Sequence, residues 1–66
     1  MSVKYPEVNV ELSGTDGNAF SILARVSNAL KRAGVGQAER DSFYNEATAG
    51  DYDALLRTAM KWVNVD

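Results

Sequence analysis

An α+β fold, one N-terminal β-strand followed by three α-helices, is predicted by three observations. Val8, Val10 and Leu12 alternate with Glu7, Asn9, Glu11 and Ser13, which is the period of two of a half-buried strand. Beyond residue 18 the apolar residues recur at three- and four-residue spacings, the period of amphipathic helices. Glycines and capping residues at Gly14 to Asn18, at Gly34 and at Ala49 to Asp51 divide that helical stretch into three.

The strand is placed at about residues 7 to 13, because Pro6 has no N–H to donate and belongs at a strand start or on an edge. A lone strand leaves backbone N–H and C=O groups unpaired. Its partner must be either the short Val63-Asn64-Val65 tail, as a C-terminal strand at residues 63 to 65, or a second copy of the chain. Gly14-Thr15-Asp16-Gly17-Asn18 collects turn and cap residues, so the chain is expected to turn there and enter helix one with Thr15, Asp16 or Asn18 as N-cap.

Helix one is expected over about residues 17 to 33. Ala19, Ile22, Leu23, Val26, Ala29, Leu30 and Ala33 fall within an arc of about 120°. Gly34 stands where a left-handed residue ends a helix, with Val35 placed to touch Leu30. Helix two fits residues 37 to 48, with Phe43, Tyr44 and Ala47 on one face and Arg40 at the same azimuth. Ala49-Gly50-Asp51 reads as a C-cap glycine followed at once by an N-cap aspartate. Helix three then carries Tyr52, Leu55, Leu56, Ala59 and Val63 on one face, flanked by Met60 and Trp62, while Asp53, Arg57 and Lys61 step along the opposite face in the favourable order.

Sixty-six residues suffice for a single domain, 1–66, and a chain this short buries only about 60% of the surface its unfolded form exposes. It contains neither cysteine nor histidine, so disulfides and the usual zinc ligand sets cannot supply the missing stability. Tight helix packing or oligomerisation must do so. The net charge of −2 is scattered along the chain, against the basic bias of a general nucleic-acid or anionic-membrane binder. No apolar stretch approaches the roughly 20 residues that span a bilayer, and the first residues lack a signal-peptide core. A cytoplasmic location is expected.

The candidate functional features are few. The glycine turn before helix one has loose backbone N–H groups, but it lacks the Lys and Ser/Thr of a P-loop, and Asp16 would repel phosphate; a turn with an N-cap explains it. Arg25, Asn28 and Arg32, with Lys31 at the edge, line one side of helix one, a face that can meet phosphates or an acidic partner and is more often simply solvated. Phe20 lies outside the apolar arc; covering the strand or helix two is the favoured role, an exposed anchor for a partner the other. Glu46, Asp51 and Asp53 surround the corner between helices two and three, where capping and dipole roles account for both aspartates without a metal. The serines have no His or Cys beside them as base or co-nucleophile, and no carboxylate pair is marked out for acid-base work. No enzyme activity, cofactor, metal or small-molecule ligand is therefore expected. The candidate partner contacts are Val8, Val10, Leu12, Phe20, Arg25, Asn28 and Arg32, for a protein partner or a homodimer formed through the strand.

Two resemblances bear on this reading. At Asp16-Gly17-Asn18-Ala19-Phe20-Ser21-Ile22-Leu23, Arg32-Ala33-Gly34-Val35, Glu46-Ala47-Thr48-Ala49-Gly50-Asp51-Tyr52-Asp53 and Trp62-Val63, the chain resembles a family of small uncharacterised proteins of bacterial and phage genomes. The resemblance spans nearly the whole chain and implies a bacterial or phage origin, with no activity and no site residues attached. In architecture, a strand followed by two helices is similar to the ribbon-helix-helix DNA-binding fold, in which two copies pair their strands. This chain departs from it in the acidic and polar strand positions Glu7, Asn9, Glu11 and Ser13, in the glycine turn, and in the third helix. Glutamates facing a phosphate-lined groove oppose binding, so nucleic acid is not the expected partner; a regulator using the basic face of helix one is the alternative.

Overall fold

The computed structural model describes residues 3–12 and 17–65. Their order is β1 (Tyr5–Val10), α1 (Ala19–Arg32), α2 (Gln37–Ala47), α3 (Tyr52–Trp62) and β2 (Val63–Val65). The two strands form one parallel sheet. Parallel strands require a long crossover, and the three helices provide it. Of the two partners open to the first strand, the Val63 to Val65 tail is paired with it.

β1 begins earlier than the alternation suggests, contains Pro6 instead of starting after it, and ends at Val10, so that Glu11 and Leu12 follow the strand. The register explains why. Tyr5 pairs with Val63, Asn9 with Asn64 and Val10 with Val65, so the residues between Tyr5 and Asn9 fall in an irregularity with no partner opposite them. A proline without an N–H is tolerated at such a bulge. The pairing continues on the N-terminal side, where the Lys4 N–H donates to the Lys61 carbonyl at 2.9 Å. Ser13 and the stretch from Gly14 to Asp16 lie outside the described residues.

α1 starts two residues later than expected. Asn18, of the three proposed caps, accepts from the Phe20 N–H at 2.8 Å; Thr15 and Asp16 lie outside the described residues. At the other end Gly34 adopts φ 87°, its N–H donates to the Lys31 carbonyl, and the Val35 N–H donates to the Leu30 carbonyl at 3.0 Å. These two bonds define a Schellman motif. Ile22, Leu23, Val26 and Leu30 are buried, Ala19 and Ala29 half-buried, and only Ala33 of the expected stripe is exposed.

The corner between α2 and α3 differs from the expected one. α2 ends at Ala47 with Thr48 as C-cap, its hydroxyl donating to the Tyr44 carbonyl at 2.7 Å, and Gly50 has no positive φ. Gly50 is needed for space: a Cβ there would stand 2.8 Å from the Ala54 Cβ. Asp51 caps α3 as expected, accepting from the Ala54 N–H at 3.0 Å.

The core lies between the sheet and the helices, with Val8, Val10 and Val63 from the strands facing Ile22, Val26, Leu30, Phe43, Leu55 and Trp62. Trp62, expected at the flank of α3, is 4% exposed. Its ring packs edge-on against Phe43 at 5.6 Å and stacks with Tyr5 at 6.0 Å. Tyr44 and Tyr52, expected on core faces, are instead 49% and 44% exposed.

Candidate interaction surfaces

The structure separates the candidate contact residues into three groups. Val8 and Val10 are each 5% exposed and belong to the chain's own core, and Leu12 is half-buried against it. Their side chains are thus occupied within the chain and do not serve a partner. The strand's available feature is its backbone: β2 covers one edge of β1, and no further strand lies on the other edge among the described residues.

Arg25, Asn28 and Arg32 are brought together. Their spacing of three and four residues sets them on one side of α1, which packs against β1, and they line a polar groove of about 190 Å³ together with Asn9, Val10, Glu11 and Ala29. Neither arginine forms an ion pair among the described residues, and the same holds for Glu7 and Glu11. On the exposed face of the sheet, the Asn64 amide donates to Asn9 Oδ1 at 2.8 Å and ties β2 to β1 beside this groove. Asn9 and Glu11 were absent from the expected contact set, because chain order alone does not say which part of a strand a helix lies beside.

Phe20 does not cover the strand or α2; it is 74% exposed. It stands at the lip of an apolar groove of about 250 Å³, lined by Leu23 of α1, Ala47 and Thr48 at the end of α2, and Gly50, Tyr52 and Leu55 at the start of α3. Asp51 at its rim is engaged in capping.

Other polar groups hold the elements together. Trp62 Nε1 donates to Glu46 at 3.0 Å, and Lys61 approaches the same carboxylate at 3.7 Å. Asp53 pairs with Arg57 at 2.9 Å. The three acids grouped by sequence at the corner thus serve different partners and share none. At the start of β1, the Tyr5 hydroxyl donates to Glu39 at 2.6 Å, while the Lys4 ammonium lies 3.1 Å from Glu39 and 4.1 Å over the Trp62 ring. The Tyr5 hydrogen bond, then Lys4, lowers the Glu39 carboxyl below its ordinary value; the same bond raises the Tyr5 phenol. Among the described residues, no group of three or more acidic side chains converges as metal ligands would, and no helix is long and apolar enough to cross a membrane.

Fold and surfaces together define a small α+β domain with a parallel two-stranded sheet on three helices, one polar groove beside β1 and one apolar groove at the helix corner. No protein-family model, curated protein or solved structure matches the chain.

Proposed function

We propose that this chain is a noncatalytic protein–protein interaction domain that acts as a homodimer through the free edge of β1, in the cytoplasm of a bacterium or phage-infected cell. The observation that carries the reading is the mismatch in the sheet, in which a six-residue strand is paired on one edge by a three-residue one. An uncovered strand edge invites addition of another strand. The small core gives a chain of this length reason to gain stability by association. The family resemblance supports the bacterial or phage origin, and the cysteine-free composition is compatible with the compartment.

Solution mass by light scattering over a wide concentration range tests the reading. A dimer that dissociates on dilution is the expected result, and a monomer at every concentration would overturn it. The second reading, a nucleic-acid-associated regulator, is favoured by the gathering of Arg25, Asn28 and Arg32 on one groove wall, though Glu11 in the same groove opposes phosphate. Retention on duplex DNA that falls steeply with salt is its signature.

A further inference from the structure

Resting on the β1-edge reading, we infer that Glu7, Glu11, Arg25 and Arg32 form a self-complementary charge register that aligns β1 antiparallel to β1 of a second copy, centred on Asn9. Glu7-Val8-Asn9-Val10-Glu11 reads identically in both directions. A two-fold contact requires one patch to complement itself, and this palindrome does so: across the axis Asn9 meets Asn9, Val8 meets Val10, and exposed positions oppose exposed positions. A slip by one residue would set buried against exposed positions and is disfavoured for that reason.

The register has a consequence for charge. Continued one residue past the end of β1, it places the partner's Glu7 directly opposite Glu11, and like charges so placed oppose pairing. Glu11, however, lines the groove that also holds Arg25 and Arg32. In the dimer each groove contains two carboxylates, its own Glu11 and the partner's Glu7, and two guanidinium groups. The charges balance. All four residues are exposed and free of ion pairs among the described residues, so the monomer leaves them unused. An unrelated acidic peptide would satisfy the arginines equally well, but the palindrome favours a second copy of this chain.

Two paired variants test the register, Arg25→Glu with Arg32→Glu, and Glu7→Lys with Glu11→Lys. All four positions are exposed, and circular dichroism with thermal unfolding confirms that each variant is folded. Each variant alone is expected to dimerise at least about tenfold more weakly than the natural chain. In an equimolar mixture the heterodimer, whose grooves each pair opposite charges, is expected to form in preference to either variant homodimer, whose grooves hold four like charges, as seen by native mass spectrometry. If the natural chain dimerises and the variants do so equally well, the register is wrong while the strand-edge reading stands. A natural chain that stays monomeric overturns both. Loss of salt-sensitive DNA retention in the arginine variant, with dimerisation intact, assigns the groove to nucleic acid and overturns the register.

Discussion

Single atoms decide several positions in this chain, and Gly50 is the clearest. Its backbone is not left-handed, so any residue could adopt it, yet a Cβ would meet the Ala54 Cβ at 2.8 Å. Gly50→Ala is expected to destabilise the domain by about 1–3 kcal/mol, the range for overpacking a fitted contact. Combined with Ala54→Gly, which removes the opposing methyl, the loss in urea titration should fall short of the sum of the two single losses. Tyr5 and Glu39 make a different demand, on pH. Glu39 is held below its ordinary value of 4.5, so its contribution to stability is complete above that value and is lost as pH falls through the lowered one. Tyr5 is raised above 10.0, so at the alkaline end the contribution is intact below 10.0 and disappears as pH rises through the raised value. The stability difference between the natural chain and Tyr5→Phe should therefore be largest around neutrality and shrink toward both extremes. A difference as large at about pH 2 as at about pH 7 would contradict the assignment.

Among the elements, β2 carries more than its three residues suggest. α3 runs directly into it, Val63 is fully buried, and the strand supplies the only strand partner of β1 among the described residues. Truncation after Trp62 removes that partner and a core side chain at once. The truncated chain is expected to lose its cooperative thermal transition, followed by far-UV circular dichroism; retention of that transition would mean that the helices hold without the sheet. The helices are set by their ends as much as by their faces. Asn18, the Schellman turn at Gly34 and Asp51 each satisfy terminal N–H or C=O groups; the sequence marks Gly34 and Asp51 for these roles and offers Asn18 as one of three caps.

For the molecule as a whole, size is the governing constraint. The radius of gyration of 10.7 Å equals that of a well-compacted chain of this length, roughly 11 Å, yet the core holds few large side chains. Phe43 is fully buried at the centre, and Phe43→Ala is expected to cost about 3–5 kcal/mol, a large part of the total for a small domain, about 5 kcal/mol or somewhat more. Phe20→Ala, at a position 74% exposed, should change stability by no more than about 0.5 kcal/mol. Parallel chemical denaturation separates the two phenylalanines. Association through β1 would add stability that rises with protein concentration, so the midpoint of unfolding should rise with concentration if the dimer forms.

Local pattern alone determined that there is an N-terminal strand followed by three helices, most core positions of α1, the Asp51 cap and the turn at Gly34, and it narrowed the cap of α1 to three residues including Asn18, because periodicity and capping are properties of neighbours in the chain. The choice between the tail and a second copy as partner for the strand belonged to the fold, since it depends on where α3 delivers Val63. So did the inward turn of Trp62, the outward turn of Phe20 and Tyr52, and the true reason for Gly50, each a matter of which surface lies opposite. Arg25, Asn28 and Arg32 were legible as one helix face, but their groove with Asn9 and Glu11 exists only because α1 packs beside β1. Contacts between residues far apart in the chain leave no periodic trace in it, and the two grooves are made of such contacts.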